Sequence, residues 1–197
     1  NLLEIGSAFG FFLNVAKRKF RNLEGYEINS DAVDYARDYF KLQIYKENFI
    51  TKEFKNKKYD IFCLFDVIEH LNNPDQYIKK IYEISSKDSY IFITTGDIDS
   101  FTAKIFGKNW RLIHPPSHVH YFSKKTIEIL LNNNGYDVIS NKYIGYYRNF
   151  SFILNKLNFF KKNFNWLIKS LNFINLSKID IYLNVYDIMM VVAKKKK

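Results

Sequence analysis

Short apolar runs alternate with stretches of helical spacing along the first hundred residues. Leu2 to Ile5 reads as a short buried strand, Phe11 to Phe20 spaces its apolar residues as a helix does, and Leu23 to Ile28 reads as a second strand. Ser30 opens a helix as a cap residue, and the pattern continues to Phe40. A short strand near Gln43 to Tyr45, a longer one from Tyr59 to Phe65, a helix from Pro74 to Ser85 and a strand from Tyr90 to Thr95 complete the series. Parallel strands need crossover connections, which a helix between strands supplies, so this rhythm predicts βαβ units.

After Thr95 the rhythm breaks into a loop-rich stretch, residues 96–122, that holds Trp110, the Pro115-Pro116 pair and three of the four histidines. A helix from Ser123 to Asn134, ended by Asn134-Gly135, and a strand from Tyr136 to Ser140 follow. Residues 141–180 carry seven Lys/Arg, one acid and ten aromatics and read as two basic, aromatic helices; Ile181 to Ala193 reads as a final strand. The predicted fold class is α/β: a doubly wound, seven-stranded, mostly parallel sheet with helices on both faces and insertions after strands 5 and 6. With no repeat and no Gly/Ser linker, all 197 residues form one domain, 1–95 as a cofactor-binding half and 96–197 as a substrate-binding half.

Composition narrows the function classes. The longest apolar runs fall well short of the roughly 20 residues of a membrane-spanning helix, and the first residues show no signal-peptide pattern. Cys63 is the single cysteine, lies inside an apolar strand and packs as a small hydrophobe. These features give a cytoplasmic reading. The formal charge is +10, unevenly spread: residues 1–100 hold 14 Lys/Arg against 16 Asp/Glu, and 101–197 hold 16 against 4. A basic, aromatic second half suits an anionic or lipid-linked partner, or peripheral contact with an anionic membrane.

The stretch with most chemistry in it is Leu3-Glu4-Ile5-Gly6-Ser7-Ala8-Phe9-Gly10-Phe11, a strand that ends in a glycine-bearing turn and opens a helix. Such a turn lets backbone approach a nucleotide-sized ligand. Ala8 breaks the dinucleotide fingerprint, and no Lys-Ser/Thr follows to make a Walker phosphate loop. Seventeen residues after Gly10, Glu27 ends the second strand, where a carboxylate can accept both hydrogen bonds of a ribose diol.

The acid-x-Gly-x-x-x-Gly turn, Glu27, and the run Tyr59-Asp60-Ile61-Phe62-Cys63-Leu64-Phe65-Asp66-Val67-Ile68-Glu69-His70-Leu71 followed by Pro74 together resemble the class I S-adenosylmethionine-dependent methyltransferases, whose sheet is Rossmann-like. The likeness covers residues 1 to about 140 and is greatest for the small-molecule branch that includes ubiquinone-biosynthesis O-methyltransferases. Trp110 to Phe122, with His118-Val119-His120-Tyr121-Phe122, resembles the loop before the sixth strand of such proteins.

The resemblance implies S-adenosylmethionine as cofactor, S-adenosylhomocysteine as product and one site that holds them. Glu4 anchors the glycine turn, and backbone from Gly6 through Ser7 and Ala8 to Gly10 wraps the amino-acid portion of the cofactor. Glu27 holds the ribose, Ile28 packs on adenine, Asn48 and Phe49 lie at the adenine edge, and Phe65 and Asp66 end the fourth strand beside the sulfonium. Two departures stand out. Ser86-Lys87-Asp88-Ser89 replaces the usual Pro-Gly-Gly turn before the fifth strand, and the resemblance implies a covering helix that precedes Asn1 or comes from elsewhere.

Methyl transfer to a hydroxyl is helped by a base that titrates near neutrality, the property of histidine. His118 and His70 are the first candidates, ahead of His114 and His120. No resident metal is expected. Pro115-Pro116 breaks any helical face shared by His114, His118 and His120, and the Asp66, Glu69, His70 set that holds a divalent cation in some ubiquinone-type relatives is not taken as a site. The expected acceptor is a hydroxyl of a sugar, glycan precursor or quinone-like compound. Nucleic acid is not the expected partner, since no RNA-binding module and no Asp/Asn-Pro-Pro-Tyr motif is present. A non-catalytic cofactor-binding scaffold and an RNA methyltransferase are the alternatives.

Overall fold

The computed structural model describes residues 1–149 and 179–197. Strands β1 (Leu2–Ile5), β2 (Leu23–Tyr26), β3 (Ile44–Tyr45), β4 (Tyr59–Phe65), β5 (Ser85–Gly96), β6 (Tyr136–Asn149) and β7 (Asp180–Lys195) form one seven-stranded sheet in the order β3-β2-β1-β4-β5-β7-β6. The first five run parallel, and β7 is antiparallel to both β5 and β6. The chain steps outward from β1 to β2 and β3 on one side, then crosses back to place β4 on the other. That reversal opens a crevice at the carboxyl ends of β1, β2 and β4.

Side chains alternate across a strand, so each strand feeds both faces of the sheet. Leu3, Phe62 and Leu64 pack with Ile78 and Ile81 of α3 (Pro74–Glu83) and with Ile127 and Leu131 of α5 (Lys124–Asn133). Leu2 and Cys63 point the other way, onto Leu13 of α1 (Phe11–Ala16) and Val33 and Ala36 of α2 (Ser30–Phe40). The doubly wound sheet with helices on both faces is therefore observed. Each such fully buried Leu, Ile or Phe stabilises the fold by about 1.5–3 kcal/mol.

Several boundaries differ from the sequence reading. Helix α1 stops at Ala16, because Lys17, Arg18 and Lys19 offer no further apolar face. The cap of α2 is Asn29, not Ser30: its Oδ1 accepts from the Asp31 and Ala32 amides at 2.9 and 3.2 Å. Where a turn was read at 86–89, β5 instead runs on from Ser85, with a break in register between the Tyr59–Ser85 and Ile61–Tyr90 pairs.

The largest difference concerns 141–180. Residues 141–149 are not helical; they are the outer half of β6, paired with β7 through Tyr146–Leu183, Tyr147–Tyr182 and Arg148–Ile181. Aromatic and β-branched residues favour a strand once β7 supplies a partner. Gly145 sits where the register slips, and a Cβ there would collide with the Leu183 carbonyl. The rest of the two expected helices lies outside the described residues. No described helix is long and apolar enough to cross a membrane.

Candidate active site

Gly6 follows β1 directly and turns the chain with φ of 71°. Its lack of a side chain is required twice, because that angle disfavours L residues and a Cβ would collide with Val67. The Gly6 and Ser7 amides both donate to the Tyr26 carbonyl, at 2.8 and 3.2 Å, and the Gly10 amide closes the turn onto the Ser7 carbonyl at 2.8 Å. Two parallel strands and a tight turn are thereby locked together at the crevice.

Glu27 governs the other side of this turn. Its Oε2 accepts from the Ala8 amide at 2.8 Å, while Oε1 accepts from the Ile28 and Asn29 amides, each at 2.8 Å. Three of the roughly four acceptor positions of a carboxylate are used by backbone. The carboxylate therefore acts as a rigid post that shapes the turn.

Beneath the turn lies Glu4, between Gly25 of β2 and Cys63 of β4 and only 4% exposed. Burial, with the charge of Glu27 adding to it, pushes its carboxyl up to about 8. Its Oε2 has no hydrogen-bond partner, and neither has the buried Oγ of Ser7. Buried polar atoms are paired in the great majority of cases, so two orphans under one glycine turn mark a place prepared for a polar ligand.

A cleft of about 470 Å³ opens here. Of the residues expected to bind cofactor, Gly6, Ala8, Glu27, Ile28, Asn48, Phe49, Phe65 and Asp66 line it. Glu4, Ser7 and Gly10 do not; a Cβ on Gly10 would press on Leu42 and Ala36, so that glycine serves packing. Ile28 lines the cleft and is 77% exposed, an apolar side chain left largely open. Asn48 Oδ1 is occupied by the Ile50 amide at 2.9 Å, which leaves the side-chain NH₂ for a ligand. Phe49 contributes little more than backbone, for its ring is buried and stacks on Tyr77 at 5.8 Å.

Sequence reasoning missed Tyr26, Val67, Asn72 and Tyr77 in the wall. Tyr77 reaches the cleft from α3, outside any motif, and only tertiary packing brings it there. Asp66 adopts φ of 54° and is pinned by Thr94, whose hydroxyl donates to Oδ1 at 2.8 Å.

His70 lines the same cleft, and His118 stands behind it with ring centroids 4.6 Å apart, edge to face. The loop bearing His118 is fastened by the Val119 and His120 amides, which donate to the Glu69 carbonyl at 3.0 and 3.1 Å. His70 Nδ1 meets the Ser117 carbonyl at 2.7 Å and His118 Nδ1 meets the Leu112 carbonyl at 2.8 Å. A carbonyl accepts only, so both Nδ1 atoms carry a proton, and in a neutral ring so bonded the lone pair is on Nε2. Desolvation, reinforced by the neighbouring His70 and His114, lowers the His118 pKa below its usual 6.5, although the Leu112 hydrogen bond works against this.

His114 points to Ser117 and His120 towards the Asn72 carbonyl, so neither joins the pair as closely. Glu69 is buried, accepts from the Thr95 hydroxyl at 3.0 Å and has a raised pKa, chiefly through desolvation. Among the described residues, Glu69, His70 and His118 are the group whose donor atoms, within 4.8 Å of one another, could meet at a cation. Asp66 is not part of it.

The sequence matches the methyltransferase-domain family over residues 1–141. No curated protein matches it. Solved structures share the fold at low identity. An S-adenosylmethionine-dependent methyltransferase of Archaeoglobus fulgidus is 21% identical with a TM-score of 0.67, over 98% of this chain and 85% of that one. Magnesium protoporphyrin IX methyltransferase of Synechocystis, solved with bound S-adenosylhomocysteine, is 11% identical with a TM-score of 0.65, over 99% and 74%. The [4+2]-cyclase SpnF scores 0.65 as well, at 10% identity over 99% and 75%, so likeness of fold does not by itself assign a reaction. The match over 141 of the 197 residues does more: with a turn, strand-end acid and cleft of the geometry just described, the chain belongs to the S-adenosylmethionine-dependent methyltransferase family.

Proposed function

We propose that this methyltransferase alkylates a hydroxyl of a small molecule, a sugar, glycan precursor or quinone-like compound, that approaches from the His70 and His118 side of the cleft. The observation that carries this reading is His70 in the cleft wall with the His118 ring 4.6 Å behind it, the Nδ1 of each tied to a carbonyl. When bound, S-adenosylmethionine supplies an activated methyl group on a sulfonium.

The chain's own residues do the rest. Glu27 has one acceptor position left for a ribose hydroxyl, Ile28 offers an apolar face for a purine, and the Asn48 NH₂ can donate to a ring nitrogen. The Gly6–Ala8 backbone comes close enough to follow the amino-acid tail, and the orphaned Glu4 and Ser7 oxygens lie below it. Asp66 and Phe65 close the floor between the two subsites. Methyl transfer needs the acceptor oxygen aligned and water kept out, so positioning supplies much of the rate. His118, kept neutral by its surroundings, takes the hydroxyl proton through Nε2, directly or by way of His70. An anionic or lipid-linked acceptor fits the basic second half.

Calorimetric titration with S-adenosylhomocysteine tests the cofactor half of the reading. Glu27→Gln keeps one acceptor oxygen for the turn and removes the charge, and it is expected to weaken binding at least tenfold, about 1.4 kcal/mol or more. Binding equal to that of the wild type would refute the placement of the ribose. A screen of hydroxyl acceptors with wild type and His118→Ala then tests the transfer half.

A further inference from the structure

At the same end of the sheet as the histidine loop, the helix α4 (Phe101–Phe106) presents a surface that the chemistry above does not use. Three of its six residues are large and apolar, yet Phe101, Ile105 and Phe106 are 77, 61 and 56% exposed. Polar contacts hold the helix in place. Ser100 Oγ accepts from the Ala103 amide at 3.1 Å, and the Thr102 hydroxyl donates to the Val185 carbonyl at 2.7 Å. The second bond sets Val185 and the exposed Tyr186 of β7 beside the helix. Surface helices ordinarily turn their apolar side inward, and α4 does the reverse. Single exposed apolar residues are common, but a contiguous group marks an interaction surface.

The charges around the patch select the partner. Lys104 and Lys108 lie on and just past α4, and from Ser100 to Ile127 the chain holds five Lys/Arg and no Asp or Glu. The acid nearest in sequence, Asp99, reaches Lys104 at 3.9 Å with both side chains largely exposed, a weak pair. Bulky apolar side chains flanked by Lys104 and Lys108 on a short exposed helix match the interface of an anionic bilayer, where the rings enter the headgroup boundary and the ammonium groups meet phosphates.

We propose that α4 docks the carboxyl end of the sheet onto an anionic lipid surface. The docking stands on the patch alone; its purpose, bringing the cleft to an acceptor carried in that surface, rests on the function proposed above.

The test is co-sedimentation of the full chain with vesicles of pure phosphatidylcholine and of phosphatidylcholine containing one quarter phosphatidylglycerol, at low and high salt. Binding is expected to the anionic vesicles and to weaken with salt. Lys108→Ala should weaken it about fivefold at low salt. The double variant Phe101→Ser, Phe106→Ser should weaken it more than tenfold at either salt. Absence of wild-type binding, or equal binding by the phenylalanine variant, would overturn the proposal. So would a wild-type dimer in sedimentation velocity that this variant dissociates, which would give the patch to a second copy of the chain. Calorimetry with S-adenosylhomocysteine on the same samples verifies folding and keeps the readings apart: vesicle binding without nucleoside binding would sink the methyltransferase site and leave the docking surface standing.

Discussion

Replacing Glu4 by Gln isolates the energetic effect of burying an acid beneath the glycine turn. The folded carboxyl titrates near 8, against an ordinary value of 4.5. Between those values the unfolded chain has released its proton while the native chain still holds it. The stabilisation is therefore complete below pH 4.5 and is lost as pH rises towards 8. One pKa unit corresponds to 1.36 kcal/mol, so the wild type should lose about 2 kcal/mol of stability between about pH 6 and pH 8 from this group alone. Glu4→Gln has no proton to lose, and its stability should be flatter by that amount over the same range.

Urea unfolding followed by near-ultraviolet circular dichroism at several pH values reads this directly. The comparison rests on the slope of stability against pH, not on its absolute level, because the Gln amide brings buried donors that cost about 1–3 kcal/mol at every pH. Glu69, whose pKa is also raised, contributes equally to both proteins and cancels. Parallel stability curves for wild type and variant would refute the reasoning. They would mean that Glu4 is ionised in the native state, with a partner for Oε2 that the fold as described does not provide.

Gly6→Ala should cost about 3 kcal/mol and abolish S-adenosylhomocysteine binding, since it combines an unfavourable φ with a clash against Val67; binding at wild-type strength in calorimetry would contradict this. His118→Ala should lower kcat far more than cofactor affinity. Because the His118 pKa lies below 6.5, the wild-type rate should hold as pH falls to about 6.5 and drop only below it, and a drop that begins above neutrality would exclude His118 as the base. Asp187→Asn should cost about 2–3 kcal/mol in urea unfolding, because the buried carboxylate accepts from Trp110 Nε1 at 3.0 Å and from Arg111 Nη2 at 2.7 Å; an unchanged midpoint would show that the loop 96–122 is anchored elsewhere.

What the sequence disclosed, it disclosed through local patterns. Continuous apolar runs marked β1 and β4 as strands, and the structure buries both of their faces, with Leu3 and Phe62 on one side and Leu2 and Cys63 on the other. The glycine turn and Glu27 were found because their spacing reflects a backbone conformation and a strand end, both local. Residues 141–149 were misread for the opposite reason. Their strand exists through pairing with β7, which begins some thirty residues later, and no local period announces a partner so distant. Tyr77 was missed in the same way, for a helix residue joins the cleft through the stack on Phe49.

The histidines show how far pattern and geometry each reach. Membership of the inserted loop and of the fourth-strand motif ranked His118 and His70 together without saying how they meet, for 47 residues separate them from loop to motif. The link is the Glu69 backbone carbonyl, which takes the Val119 and His120 amides and so fixes the height of the loop over the fourth-strand motif. With the loop held there, two further carbonyls choose the tautomer of each ring. Which nitrogen of each ring is engaged is thus selected by acceptors of the main chain, which any residue type can supply. A sequence therefore shows where imidazoles occur, while their mutual orientation arises only once the loop is folded back onto the motif that ends β4.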